Sequence, residues 1–328
     1  MSASASDLHL ALLTPELLSL ASVEPFWPQT PERPGLDGLI DSIRRLGLLR
    51  PLLVWEGEGG FRLLAGRRRL AALKSLGCFE LPVLKLPADV PPETALALGL
   101  ADNLERGFNQ AETALIWRFL NCRGADLAIS LAPLLGLAPS PRLREWCLAA
   151  AELPPQGLAA LAEGRLDLET GARLAAWPAE DLGPVLDLFE ALAPSKQKKR
   201  EWLNWLEDIG RREKIAPGRI LAAPEVSEAL GAIEARGRPA VENELRRLMW
   251  RRRHPQLAAL TDEREARLRA LALPAAARLE LDPSLEDLEF TLRLTFAGPD
   301  DFRSLAELIS ALKTNSDFLK ILDDVDGR

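Results

Sequence analysis

The sequence predicts an α+β protein of several domains, with a small α/β domain first, an all-helical domain in the middle and a small α+β domain last. Its length of 328 residues exceeds what a single hydrophobic core organises. Apolar runs with strand and helix periods occupy the chain up to about residue 90, and only helical spacing follows until about residue 253. Strand-like alternation then returns near residue 277.

These changes of pattern divide the chain into four segments. We assign residues 1–20 to an N-terminal tail, 21–108 to the α/β domain, 109–253 to the helical domain and 254–328 to the C-terminal domain. Apolar residues make up 47% and charged residues 27% of the chain, as in ordinary folded proteins, so we expect each domain to bury a core.

The α/β domain is predicted from short patterns that follow one another closely. The first has the apolar spacing of an amphipathic helix, and Gly47 is placed to end it. The later ones are apolar runs bounded by turn residues, which predict strands. The predicted elements are a helix over Gly35–Leu46, strands over Pro51–Trp55 and Phe61–Leu64, a helix over Arg67–Leu76 and a strand over Leu81–Leu86.

Two short helices joined by a glycine-containing turn mark the middle domain. Ala125–Leu135 and Pro141–Ala151 flank the turn, and Ser140 followed by Pro141 is a favourable helix start. This pattern is typical of a helix-turn-helix motif, and ordinary helical hairpins give it too. Pro133 lies inside the first of these helices, where a proline costs about 3 kcal/mol unless the helix starts or bends there.

Residues 195–253 are the most basic part of the chain. The basic runs are Lys196–Arg200, Arg211-Arg212, Arg246-Arg247 and Arg251–Arg253. Such clusters bind DNA phosphates, although a solvated helix face has the same composition. Residues 254–328 hold 15 acidic and 9 basic side chains, so most of the formal net charge of −7 lies beyond the basic part. One face of the earlier segments can therefore meet DNA.

The C-terminal domain is predicted from two alternating strands and an amphipathic helix. Apolar residues alternate through Ala277–Leu281 and Leu288–Phe296, and the helix runs from about Asp301 to Leu312. So small a domain buries little core alone, and pairing two copies would extend that core. We therefore expect residues 260–328 to form a homodimer.

Metal-centred and histidine-based chemistry has few residues to use. The chain has three cysteines without a CxxC spacing and two histidines, His9 and His254. The N-terminal residues lack the basic start of a signal peptide, and no apolar run is long enough to span a membrane. We therefore expect a cytoplasmic protein without a membrane partner.

Two polar clusters are candidates for binding chemistry. Arg67, Arg68 and Arg69 follow a glycine in the first turn of a predicted helix, where cations oppose the helix dipole. A bound anion would remove this conflict, and a turn that merely faces water is the alternative. Asp102 to Arg106 offers a carboxylate, an amide and a guanidinium, which suit a hard cation and phosphate, or simply local ion pairs.

Taken in order, these segments resemble the ParB family. The family's boxes have counterparts in Ser42–Pro51, Gly66–Arg69 and Asp102–Arg106, at similar spacing. The likeness continues through Asn109–Glu112 and covers roughly residues 20–195. Three ordered boxes followed by a helix-turn-helix are more specific than any one of them.

The resemblance implies a DNA clamp that is switched by CTP together with Mg²⁺. Gly66, Arg68 and Arg69 would hold the triphosphate with support from Arg106, and Asn103 would help to hold the metal. The whole implied nucleotide site consists of Gly47, Pro51, Gly66, Arg67, Arg68, Arg69, Asn103 and Arg106.

Double-stranded DNA is the partner that the resemblance implies, with a homodimer held by the C-terminal domain and association with the nucleoid. The role would be partition or regulation of replicon DNA, and a ParA-type ATPase partner stays open. The motif and the basic runs together give the expected DNA-binding residues Ser140, Arg142, Arg144, Arg251, Arg252 and Arg253.

Two positions depart from the family pattern. Arg67 stands where the family has glutamate, and Asp102 stands where it has the longer glutamate. The first change reverses a charge beside the phosphates, so we expect nucleotide binding to persist while hydrolysis is altered or lost, and weak CTPase activity stays open. The alternatives are a ParB-fold enzyme, either a nuclease or a small-molecule kinase, and a nucleotide-independent transcriptional regulator.

Overall fold

The computed structural model describes residues 16–19, 23–28, 30–31, 35–57, 60–138, 140–281 and 290–323. The chain divides into two compact units, Met1–Glu242 and Asn243–Arg328. The mixed α+β class is confirmed, and the chain is mostly helical. Residues 1–15 of the predicted tail, with His9, lie outside the described residues, as do the first two residues of the strand predicted over Leu288–Phe296.

A five-stranded sheet forms the first part of the first unit. The strands are β1 (Glu16–Ser19), β2 (Val23–Pro25), β3 (Leu52–Gly57), β4 (Gly60–Ala65) and β5 (Glu80–Leu86). Their order in the sheet is β1-β5-β3-β4-β2. In the centre, β3 runs antiparallel to β4 and parallel to β5, while β1 and β2 form the edges. The strands predicted over Pro51–Trp55, Phe61–Leu64 and Leu81–Leu86 are therefore confirmed, each with slightly different ends.

The two edge strands were not predicted from the sequence. β1 lies within the segment that was assigned to a tail, so residues 16–19 belong to the folded unit. Neither edge strand is long enough to show an alternating pattern, and each is defined by its pairing with a distant strand.

Helices cover both faces of the sheet. α1 (Leu36–Leu46) and α2 (Arg67–Ser75) pack on one face, and α3 (Pro92–Ala101) packs on the other. As predicted, Gly47 ends α1, and its φ of +78° is one that glycine adopts without strain. Because β4 leads directly into α2, Gly66 lies at a strand-to-helix junction.

Short helices make up the rest of the first unit. They are α4 (Gln110–Asn121), α5 (Ala125–Leu131), α6 (Pro141–Ala150), α7 (Pro155–Ala162), α8 (Leu168–Leu174), α9 (Ala179–Leu192), α10 (Lys196–Glu213), α11 (Pro217–Leu221), α12 (Pro224–Gly231) and α13 (Ile233–Arg236). A further helix, α14 (Arg238–Arg253), contains the division between the units. Within the described residues, no helix has the length and apolar character needed to cross a membrane.

The first helix of the predicted helix-turn-helix is shorter than expected. α5 ends at Leu131, and a 3-10 turn over Ala132–Leu135 follows, with Pro133 near its start. The α-helix therefore ends just before the proline, because its ring and missing N–H are costly in a helix interior. The second helix, α6, begins as predicted: the Leu143 N–H donates to Ser140 Oγ at 3.4 Å.

The second unit contains two strands and three helices that lie wholly within it, among the described residues. These are α15 (Pro255–Ala270), β6 (Ala277–Leu281), β7 (Phe290–Leu294), α16 (Pro299–Leu312) and α17 (Ser316–Asp323). β6 and β7 pair antiparallel, and Leu279 and Leu292 pack with the buried Leu271 and Leu312. The division at 242/243 differs from the boundary predicted at 253/254. The change of composition at Pro255 marks the end of α14, and the units divide inside that helix.

Candidate functional site

The junction between β4 and α2 places Gly66 ahead of the three arginines. Gly66 has a φ of +101°, and a Cβ added there would lie 2.6 Å from Leu52 Cδ2. No side chain among the described residues caps α2, and its first turn holds no acidic residue. The backbone N–H groups at this end of α2 combine with cationic side chains, an arrangement that favours a bound anion.

Arg69 connects the three boxes that resemble those of the ParB family. Its Nη1 donates to the backbone carbonyl oxygens of Arg50 at 3.0 Å and Pro51 at 2.5 Å, and its Nη2 donates to Asp102 Oδ2 at 2.9 Å. Burial lowers the pKa of Arg69, and the carboxylate of Asp102 opposes that shift. One guanidinium thus holds together segments that are far apart in the sequence.

A second guanidinium lies beside the same carboxylate. Arg50 Nη2 is 3.6 Å from Asp102 Oδ1, and Arg50 Nη1 is 3.8 Å from Glu105 Oε2. Arg50 and Glu105 are largely exposed, whereas the side chains of Arg69 and Asp102 are only 18% and 25% exposed. The inner pair is therefore the stronger contact, because solvent screens the outer pair.

Asn103 and Arg106 contact each other, and Arg106 also contacts the start of α4. Asn103 Nδ2 donates to the Gly99 carbonyl oxygen at 3.0 Å, and its Oδ1 accepts from Arg106 Nε at 3.3 Å. Arg106 Nη1 also donates to Glu112 Oε1 at 3.1 Å, and Glu112 Oε2 accepts from the Asn109 N–H at 3.0 Å. Arg106 is thus tied to the capping box of α4.

The residues present fit a triphosphate better than they fit a metal ion. The first turn of α2 supplies N–H donors and guanidinium groups, which are phosphate ligands. The oxygen of Asn103 accepts from the Arg106 guanidinium, whose positive charge opposes the binding of Mg²⁺ at the same oxygen. Among the described residues, no group of three or more His, Cys, Asp or Glu side chains is placed to hold a metal ion.

Arg67 and Arg68 are directed toward the segment ahead of α1. Arg67 Nη2 donates to Thr30 Oγ1 and, at 3.4 Å, to the Thr30 carbonyl oxygen. A Cβ added at Gly35 would lie 3.6 Å from Arg68 Nη2. Arg67 therefore lies beside Thr30 and Arg68 lies near the N-cap of α1, and their contact with a phosphate stays a prediction.

The predicted DNA-reading side chains of α6 have different surroundings. Arg142 is exposed, and its guanidinium lies 4.9 Å from the ring centroid of Trp146. Arg144 is half-buried, and its guanidinium lies 5.7 Å from the ring centroid of Trp117 in α4. Arg142 is consequently placed to reach a partner, while Arg144 packs between helices. The hydroxyl of Ser140 accepts the capping bond of α6.

The basic run at the start of α10 is partly neutralised inside the first unit. Lys196 Nζ lies 3.5 Å from Asp167 Oδ1 and 3.4 Å from Glu169 Oε2, and Arg200 pairs with Glu169 as well. Burial alone would raise the pKa of Glu169, but the bonds from Arg200 and Lys196 hold it below its ordinary value. This run is therefore less available to DNA than its sequence suggests.

The basic end of α14 is also engaged. Arg251 Nη1 donates to Asp262 Oδ1 at 2.7 Å within the second unit. That hydrogen bond raises the pKa of Arg251 and lowers the pKa of Asp262. The assignment of Arg251, Arg252 and Arg253 to DNA stays a prediction.

Comparison with known proteins gives several matches. A family model described as ParB N-terminal domain matches residues 6–104. The chromosome-partitioning protein Spo0J of Thermus thermophilus is 35% identical over 154 residues, which cover 45% of this chain and 55% of the relative, so the chain spans about half the length of that relative. A probable plasmid-partitioning protein ParB of the same organism is 29% identical over 264 residues, which cover 78% of this chain and 83% of the relative. Residues 6–104 thus match the ParB N-terminal domain, and the chain is similar to chromosome- and plasmid-partitioning proteins.

Solved structures of the C-terminally truncated ParB from Caulobacter crescentus are also similar to parts of the chain. The complex with the centromeric parS site is 19% identical, with a TM-score of 0.32, and covers 56% of this chain and 96% of that one. The complex with CTP-gamma-S is 23% identical, with a TM-score of 0.25. The match covers 50% of this chain and 93% of the Caulobacter chain.

The two positions at which the chain departs from the ParB pattern both lie at the arginine cluster. Arg67, where the family has glutamate, contacts Thr30, and Asp102, where the family has the longer glutamate, contacts Arg69 and Arg50. Arg50 belongs to the first box but was given no role there, and Thr30 was not predicted to contact the site. Thr30 lies outside every box, and only the fold brings it to Arg67.

Proposed function

We propose that this chain is a ParB-like DNA-partition protein that binds DNA through its helix-turn-helix and binds CTP at the N-terminus of α2. The partition role rests on the relatives, which are chromosome- and plasmid-partitioning proteins. The observation that carries the nucleotide site is the guanidinium of Arg69, which joins Pro51 and Asp102 beside an uncapped helix N-terminus. The preference for CTP comes from the resemblance of the three boxes to the family.

Calorimetry on the full chain with CTP, UTP, ATP and GTP tests the nucleotide site. We expect CTP to bind most tightly and Arg68→Ala to weaken it by about tenfold or more, since a phosphate contact of 1.4 kcal/mol is lost. Arg44→Ala is the matched control, because Arg44 is exposed in α1 and pairs with Asp41. Repeating the titration without Mg²⁺ measures how far binding depends on the metal. Absence of binding at millimolar CTP would contradict the proposal.

The DNA part of the proposal makes a contrast between two arginines of α6. Arg142→Ala should weaken binding to double-stranded DNA with an unchanged melting temperature, because the side chain is exposed. Arg144→Ala should lower the melting temperature, because its side chain packs on Trp117. Fluorescence anisotropy at several salt concentrations, with thermal melts, measures both effects. The DNA-facing assignment of α6 is wrong if Arg142→Ala binds every DNA as the parent does.

A further inference from the structure

We propose that Asp102 is an internal carboxylate that occupies the anion site until a nucleotide displaces it, an inference that rests on the proposed nucleotide function. Asp102 Oδ2 accepts from Arg69 Nη2 at 2.9 Å, and Asp102 Oδ1 lies 3.6 Å from Arg50 Nη2. Each carboxylate oxygen therefore faces a guanidinium, as the oxygens of a bound phosphate would.

The position of Arg69 does not depend on Asp102 alone. Its Nη1 is held by the carbonyl oxygens of Arg50 and Pro51, which belong to the backbone ahead of β3. Only Nη2 is directed at the carboxylate. If the carboxylate leaves, the guanidinium keeps two of its three hydrogen bonds and offers Nη2 to another anion.

Burial makes the exchange of one anion for another more favourable than simple loss of the carboxylate. The Arg69 side chain is 18% exposed, and leaving a buried charge without a partner is costly. Asp102 is thus expected to leave when a phosphate arrives. The carboxylate of Asp102 competes with the nucleotide for Arg69. The affinity measured for a nucleotide is therefore lower than its contacts with the site would give without this competition.

The two anions compete for one place because Arg69 belongs to α2. It is the third residue of that helix, so its N–H is one of those at the uncapped N-terminus. A phosphate bound to these N–H groups would lie beside the Arg69 guanidinium and would repel the carboxylate of Asp102.

Asp102→Asn tests this inference, because it removes the charge and keeps the shape. Calorimetry on the full chain, with CTP and with inorganic tripolyphosphate, should show about tenfold tighter binding of both anions. Asp41→Asn is the matched control, since it removes an equal charge from an exposed arginine pair in α1, and it should change either affinity by less than about twofold. If Asp102→Asn does not fold, as judged by its thermal melt, Asp102→Ser is measured against the same expectations.

The outcomes separate this inference from the proposed function. If the parent binds CTP and the Asp102 variant binds it equally or less tightly, the internal-carboxylate role is wrong and the nucleotide site stands. If neither protein binds CTP or tripolyphosphate at millimolar concentration, the nucleotide function fails, and the inference fails with it. Tighter binding of both anions to the variant supports the inference, and tighter binding of CTP alone contradicts it.

Discussion

At the scale of the residue, Gly66 is subject to two independent constraints. Its backbone has a φ of +101°, which other L-residues rarely adopt, and its α-carbon lies so close to Leu52 that a Cβ would clash. The sequence predicts a glycine-led helix start here, but it does not predict the crowding. The crowding arises because β3 and β4 pair and bring Leu52 against the junction.

The crowding predicts that Gly66→Ala destabilises the chain more than Gly77→Ala. Gly77 also has a positive φ, of +71°, but a Cβ there would meet no atom of the structure within 4 Å. Backbone strain costs about 1–2 kcal/mol in both variants, and overpacking against Leu52 adds about 1–3 kcal/mol in Gly66→Ala alone. The free energy of unfolding in urea measures the difference. If both variants lose the same free energy of unfolding, Leu52 moves aside at no energetic cost and the predicted overpacking is wrong.

At the scale of the element, periodicity predicts those helices and strands that carry a clear apolar face. α1, α2, β3, β4, β5 and α6 appear where the pattern places them. β1, β2 and α17 were not predicted, since the first two are very short and depend on partners from elsewhere in the chain. Likewise, the boxes predicted that the polar groups of the site meet, but only the fold could show that Asn103 and Arg106 turn toward Gly99 and Glu112.

The ion pairs between α8 and α10 make the stability of the fold depend on pH. Glu169 pairs with Arg200 and Lys196, and its pKa in the folded chain lies below the ordinary value of 4.5. A carboxyl group whose pKa is lowered by folding stabilises the fold at pH values above its ordinary pKa. This stabilisation is lost as the pH falls through the pKa that the group has in the folded chain. Glu169→Gln should therefore lower the melting temperature by about 2–4 °C at pH 7 and by much less near pH 3.

The control for this measurement is Glu163→Gln. Glu163 pairs with Arg165 and is 57% exposed, so its neutralisation should leave the melting temperature nearly unchanged at either pH. If Glu169→Gln lowers the melting temperature equally at pH 7 and pH 3, that result would show that Glu169 stabilises the fold by packing and not by its charge.

At the scale of the whole molecule, the first unit holds the candidate nucleotide site and the predicted helix-turn-helix, and the second unit is small. The second unit exposes apolar side chains near one another in the sequence: Phe296 and Phe302 are 54% and 55% exposed, with ring centroids 5.2 Å apart, and Ile309 is 46% exposed. Such a patch on a small unit is typical of a protein–protein contact. It supports the expectation that the second unit forms a homodimer.

Phe302→Glu should convert the full chain to monomers in the absence of nucleotide and DNA. A charge on the apolar patch would be buried without a partner in the dimer, which is costly. Analytical ultracentrifugation measures the change, and Phe79→Glu is the control, because Phe79 is 84% exposed in the first unit. If the Phe302 variant is as dimeric as the parent, the dimer contact lies elsewhere.

The central claim is that the chain is a DNA-binding protein switched by a nucleotide. The most direct test measures whether the crosslinked protein is retained on circular DNA. The full chain is loaded with CTP onto closed-circular and linearised forms of one DNA that the protein itself has selected, is crosslinked, and is washed at high salt, which disrupts phosphate contacts. We predict that the crosslinked parent stays on the circular form only, that it does so only with CTP, and that Arg68→Ala stays on neither form. Equal retention on the two forms, or retention on the circular form that is independent of CTP, would contradict the account.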